Sequence, residues 1–279
     1  MELAQQLMAP NGPYSKSQVV RALEFARGSL YLQRKRPLKD KQVAVAIEQW
    51  QELDDTLGHR KLAVLLGMGK NRVNRIMHKY GISARRKKKR SVSPGQTDQT
   101  APNLVSELEQ KSPMEIVCSD LFAVPLADRT RVRGCFALWK RTRHILALAC
   151  DYRMPADLVV TTIKMVPFEV PGAIFPAEQG KQSGAAQTRK LLLEKGFQRS
   201  MSRAGTPTEN GSAERLVGLF QLAVAERHPS RTLGDFLQAA QLWVNFYTTT
   251  RPHESLGYRS PDQYAKAQQL GSVPTITLF

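Results

Sequence analysis

The chain has 279 residues, 42% of them apolar, and its 41 Lys and Arg outnumber 24 Asp and Glu, giving a formal charge of +17. That length suits one large domain with a smaller one, or two comparable ones; the mixed composition fits a soluble fold, and no run nears the roughly 18 apolar residues that a membrane span needs. A cation surplus on this scale points to a polyanionic partner, with nucleic acid the first candidate.

The opening MELAQQLMAPNGPYSKSQ lacks the basic start and apolar block of a secretory signal, so a cytoplasmic protein is expected. Next, SKSQVVRALEFARG reads as a short helix capped by Ser15 or Ser17, with Val19, Val20 and Leu23 on one face. KQVAVAIEQWQEL is a second, with Val43, Ile47 and Trp50 at helical spacing. In HRKLAVLLGMGKNRVNRIMHKYG, Gly67-Met68-Gly69 separates a helix ending near Leu66 from one starting near Lys70, the pattern of a helix-turn-helix. Val73, Ile76 and Met77 recur at i, i+3 and i+4 and should face inward. Lys70, Asn71, Arg72, Asn74, Arg75 and Lys79 are then left outward, side chains of the types that reach phosphates and base edges.

Between Lys70 and Arg90 there are ten Lys or Arg and no acid, ending in the run Arg85-Arg86-Lys87-Lys88-Lys89-Arg90. Such a run suits sequence-independent phosphate contacts, although a solvated basic linker has the same composition. SVSPGQTDQTAPN, residues 91 to 103, is polar, contains Pro and Gly, and has no hydrophobic period, so the domain boundary is expected there.

Beyond it MEIVCSDLFAVPL, VRGCFALW and RHILALAC read as three neighbouring strands of an antiparallel meander. Cys118, Cys135 and Cys150 each stand alone in these apolar segments, as reduced core thiols do. PADLVVTTIKMV is a helix, GAIFPAE a short strand, AAQTRKLLLEKG a helix closed by Gly196, and FQRSMSR a further strand; residues 206 to 248 are mostly helical. The order β-β-β-α-β-α-β-α-α describes an α/β sheet with helices packed on it, the order of ribonuclease-H-like cores. Asp120 sits mid-strand between Cys118 and Phe122, where a charge needs either a wet strand face or a partner such as a metal.

From the helix-turn-helix to residue 265 the chain resembles the second-reading-frame product of insertion-sequence transposases of the insertion sequence three family. In these an all-α helix-turn-helix domain precedes a ribonuclease-H-like integrase core, a mixed sheet with helices. The resemblance rests on LGHRKLAVLL and NRVNRIMHKYGI, then CSDLFAVP, then QRSMSRAGTPTENGSAE, then NFYTTTRPHESLGYRSPDQY, in that order. It implies a helical DNA-binding domain over 1–90, a polar linker over 91–110, a catalytic core over 111–266 and a tail over 267–279. On this match Asp120, Glu178 and Glu214 are the three catalytic, metal-binding carboxylates, with 35 residues between the last two. The implied activity is an Asp-Asp-Glu-type polynucleotidyl transferase that nicks element ends and joins the freed 3′-hydroxyl to another strand. The implied cofactor is a pair of Mg²⁺ or Mn²⁺ ions, hard cations that suit oxygen donors.

The implied partners are double-stranded DNA of element ends and target, a second copy of the chain or a higher oligomer, and a protein of the upstream frame. The implied location is the bacterial cytoplasm, on the nucleoid, with no membrane partner. Asn210, one turn before Glu214, is a candidate support for that carboxylate, and Arg251 and His253 are candidates for a DNA-facing or a structural role. Thr206-Pro207-Thr208-Glu209 has the form of a capping box with Pro at the first helical position.

The chain also departs from the family pattern. Pro176-Ala177-Glu178 stands where the family has His-Ser-Asp, Glu209-Asn210 where it has Asp-Asn, Gln221 where it has Lys or Arg, and Thr248 where it has Asn. Glutamate is longer by about 1.5 Å, one carbon-carbon bond, and a misplacement of about 1 Å costs on the order of a hundredfold in a positioned site. The alternative to an active transposase is therefore a decayed or repurposed copy that binds DNA only and regulates related elements.

Overall fold

The computed structural model describes residues 16–22, 36–86, 116–153, 155–166, 174–177, 186–201, 211–227 and 229–270. Four helices come first: α1 (Lys16–Ala22), α2 (Arg36–Leu53), α3 (His59–Leu65) and α4 (Lys70–Lys79). The second half follows as β1 (Val117–Pro125), β2 (Arg131–Trp139), β3 (Ile145–Asp151), α5 (Pro155–Met165), β4 (Ile174–Ala177), α6 (Ala186–Glu194) and β5 (Gln198–Met201). It closes with α7 (Gly211–Phe220), a π-helical turn (Gln221–Ala225), α8 (Leu233–Thr249), a 3₁₀ turn (Glu254–Leu256) and α9 (Pro261–Ala267). The elements follow the expected order. The linker at 91–110, the cations at 87–90, the capping box at 206–209 and residues 271–279 lie outside the described residues.

β1, β2 and β3 form an antiparallel sheet in that order, β4 pairs with β5 in parallel, and β4 lies beside β1. The three-stranded sheet is covered on both faces. Phe122 and Val124 of β1, with Phe136 and Leu138 of β2, pack against Leu216, Val217 and Phe220 of α7 and against Phe236 and Trp243 of α8. Val117, Cys135 and Ala137 pack on the opposite face against Leu158, Val159 and Ile163 of α5. This double coverage explains why β3 reads as an unbroken apolar run, buried from Ile145 to Cys150.

Phe220 is the hub of the first core, its ring centroid 4.9 Å from Phe136, 5.2 Å from Phe122, 5.4 Å from Trp243 and 5.8 Å from Phe236. Phe122 lies directly over Gly134 of β2, where an added Cβ would come within 2.2 Å of the ring. Gly134→Ala is therefore expected to destabilise the protein by about 1–3 kcal/mol through overpacking, measured by chemical denaturation. An unchanged midpoint would show that the ring moves aside freely.

The chain forms two compact units, Met1–Val45 and Ala46–Phe279. The helix-turn-helix thus clusters in the same unit as the sheet. The physical reason is a set of contacts that local sequence does not announce. Arg251, just after α8, pairs with Asp54 at 2.6 Å, Arg85 pairs with Glu226 at 3.0 Å, and the Trp50 and Phe246 rings lie 6.2 Å apart.

Candidate functional site

Alternation along β1 puts Cys118, Asp120, Phe122 and Val124 on one face, and Phe122 and Val124 identify it as the face covered by α7 and α8. Asp120 is half-buried and stands opposite Phe136 in the register. α7 packs directly on β1, and Glu214 occupies its first turn, exposed, beside the buried Ala213. The two carboxylates therefore project from neighbouring elements on the same side of the sheet. β4, which lies beside β1, ends at Ala177. Glu178 and Asn210 lie outside the described residues, and among the described residues no group of three His, Cys, Asp or Glu side chains comes together.

Cys135 and Cys150 are buried in the sheet, and burial pushes both thiols up to about 12, the Asp120 charge adding to the effect at Cys135. Both thiols remain neutral at physiological pH, and carboxylate oxygens such as those of Asp120 and Glu214 are the donor type that suits a hard divalent cation.

Past Phe220 the helix widens into the π-helical turn Gln221–Ala225, in which the Glu226 amide donates to the Gln221 carbonyl at 2.9 Å. Gln221, the position where a cation is expected from the resemblance, is its first residue. Leu222, Ala223, Val224 and Ala225 are all buried, so apolar side chains face the core around the whole turn. Four consecutive apolar residues after an amphipathic helix were the available signal for this widening. π turns of this kind occur frequently at functional sites.

The helix-turn-helix forms as its periodicity predicts. Gly67 takes φ +60° in the turn, a left-handed conformation that disfavours other side chains, and Val73, Ile76 and Met77 are buried. Lys70, Asn71, Arg72 and Lys79 are exposed, whereas Asn74 and Arg75 are half-buried. No acid occupies the first turn of α4, and Gly69 provides no side-chain cap. Cations at a helix N-terminus oppose its dipole by about 0.3–1 kcal/mol each, so Lys70 and Arg72 weaken α4 while making its start strongly attractive to an anion. Beside Lys70, a groove of about 650 Å³ runs between Arg60, Val64 and Met68 on one side and Tyr258 on the other.

The remaining cations divide. Arg86 is exposed. Arg85 is engaged with Glu226 at 3.0 Å and Asp55 at 3.7 Å. Arg251 is only 1% exposed, and its guanidinium donates to Asp54 and Thr56. His253 is also buried, edge-on to Tyr247 with centroids 4.5 Å apart. Sequence reading also missed the far end of the sheet, where Arg129, Arg131, Arg153 and Arg231 are exposed around the β1–β2 turn and the end of β3. Their spacing along the chain gives no hint that they share one end of the sheet.

Burial lowers the His253 pKa to about 2, helped by the nearby charges of Arg251 and Lys61. Burial also lowers that of His144, against a 3.0 Å contact with Asp262 that opposes the shift. An unfolded histidine takes its proton near 6.5 and these folded ones take it at lower pH, so the unfolded state binds more protons in that window. Stability should be full above about pH 6.5 and decline as pH falls below it. Thermal melts between about pH 7.5 and about pH 5 check this, and the slope should shrink in His253→Phe.

Residues 195–261 match the family model of the integrase core domain, a stretch that includes Glu214, Arg251 and His253. The chain is 24% identical over 202 residues to the transposase for insertion sequence element IS904 of Lactococcus lactis subsp. lactis (strain IL1403), covering 70% of this chain and 79% of that protein. It is 21% identical over 258 residues to the insertion element IS407 uncharacterized 31.7 kDa protein of Burkholderia multivorans (strain ATCC 17616 / 249), covering 90% of each. Among solved structures it is similar to a chain of a simian T-cell lymphotropic virus intasome, with 12% identity, a TM-score of 0.48, and coverage of 78% of this chain and 74% of that one. The catalytic core domain of BIV integrase matches with 14% identity and a TM-score of 0.42 over 56% of this chain and 97% of that one.

Proposed function

We infer that this chain, which belongs to the insertion-sequence transposases with an integrase-like core, is a DNA-binding polynucleotidyl transferase that cuts element ends and joins the freed 3′-hydroxyl to another strand. The observation that carries this reading is that the strand bearing Asp120 packs directly against the helix bearing Glu214, on one face of the sheet. Glu178 follows directly on β4, the neighbour of β1, and is the third carboxylate of the proposed set.

Asp120, Glu178 and Glu214 would hold Mg²⁺ or Mn²⁺, two ions in the full site. Bound there, a divalent cation lowers the pKa of the attacking water or hydroxyl and neutralises charge on the phosphate oxygens. The side chains contribute position. Asp120 is fixed by β1, while Glu214 stands in the first turn of a helix whose next turns are anchored by Leu216, Val217 and Phe220. Exposed Lys70, Asn71, Arg72 and Lys79 on α4 supply the DNA-reading surface, and Arg86 with the cations at 87–90 supplies phosphate contacts. Cutting and joining at paired ends calls for at least two copies of the chain on DNA.

The Glu at 178 favours a second reading, in which the chain binds DNA and cuts weakly or not at all. Purified protein with Mg²⁺ or Mn²⁺ and DNA carrying the element's terminal repeats is expected to show little nicking, and Glu178→Asp is expected to raise it about a hundredfold by restoring the shorter reach. Robust turnover by the unaltered chain, lost in Glu178→Gln, would overturn the weak-site reading. No turnover from either form would favour binding alone.

A further inference from the structure

Asp54 lies in the loop between α2 and α3, Arg251 follows α8, and they are 197 residues apart in the chain. Both are withdrawn from water, at 0% and 1% exposure. The Arg251 Nε donates to Asp54 Oδ2 at 2.6 Å and its Nη2 donates to Thr56 Oγ1 at 3.0 Å. The other Asp54 oxygen accepts from the Thr56 amide at 2.9 Å and from the Thr56 hydroxyl. Two charges removed from water are tolerated only where hydrogen bonds replace the lost hydration, and here Asp54 accepts through both carboxylate oxygens while Arg251 donates through Nε and Nη2.

The loop that carries Asp54 leads straight into the DNA-reading element. The Leu57 amide donates back to the Asp54 carbonyl at 3.2 Å, and α3 begins at His59. Apolar and backbone contacts reinforce the pair: the Trp50 ring lies against Phe246 of α8, and Arg227 donates to the Gln51 carbonyl. A domain held only by a polar tether would share no buried ion pair with the core.

We propose that Arg251 is a positioning residue that clamps the helix-turn-helix to the acidic core, so that docking, and not the segment 91–103, sets the distance between the DNA read by α4 and the bond that is cut. The clamp itself stands on the buried pair, and only its consequence for cutting rests on the function proposed above. It makes the chain a ruler. The position of the cut is then fixed relative to the sequence bound.

The decisive experiment requires no DNA. A protease site introduced within 91–103 of the full chain and cleaved leaves two pieces joined only by the docked surface. They are expected to co-elute in size-exclusion chromatography, to separate in Arg251→Met with roughly a hundredfold or greater loss of association, and to hold together better in Arg251→Lys. Separation of the unaltered pieces overturns the proposal, as does undiminished association in Arg251→Met. Hydrogen exchange on the uncut chain provides a second measure, with α3 and α4 amides expected to open together with those of α8. Independent, faster opening of α3 and α4 would mean that no clamp exists. On DNA, lengthening 91–103 by a few residues should leave the spacing between footprint and cut unchanged, and a shifted cut would refute the ruler.

Discussion

Glu214→Gln is expected to lower metal-dependent strand cleavage by about a hundred- to a thousandfold, both in the chain as it stands and in the more active Glu178→Asp form. Glutamine keeps the shape and length of glutamate but loses the charge that a hard cation requires. The fold should tolerate the change, because Glu214 is exposed and surface substitutions usually stay within about 0.5 kcal/mol. A small further loss comes from removing an acid in the first turn of α7, roughly 0.3–1 kcal/mol through the helix dipole. DNA affinity should not fall, since an anion is removed near a polyanion. Parallel assays of nicking, denaturation and DNA binding separate the three. Unchanged nicking with intact folding would remove Glu214 from the site.

Asp54→Asn is expected to destabilise the Ala46–Phe279 unit by about 3–5 kcal/mol, because it leaves the Arg251 charge buried without its counter-ion. That is a large share of the roughly 5–15 kcal/mol that typically holds a domain together, and it corresponds to a fall in melting temperature of roughly 10 °C. The double variant Asp54→Asn with Arg251→Met should recover part of the loss, since with both charges gone nothing ionic remains buried. A single-variant loss below about 1 kcal/mol would show that water reaches the pair.

Asp54 and Arg251 mark where local reading stops. The segment TTTRPHES leaves Arg251 between a DNA-facing and a structural role, and nothing within several residues of it shows that its partner stands 197 positions earlier. Arg85 is similar. In a run of six cations it reads as a phosphate contact, yet it is engaged by Glu226 and Asp55. Asp120 is an intermediate case: the sequence shows a charge in a strand fit for burial, and only the packing shows that α7 covers the face it shares with Phe122 and Val124.

The sequence by itself determined the elements and their order. Strand alternation, the helical triple Val73, Ile76 and Met77, and the left-handed Gly67 are each encoded within a few residues, where sterics and periodic burial act directly. The tertiary structure alone decided which cations stay outside and which are buried, which elements cover the face that bears Asp120, and which distant residues contact the helix-turn-helix segment. The reason is physical. Propensity is local, whereas burying a charge depends on a partner that only the folded chain brings within reach.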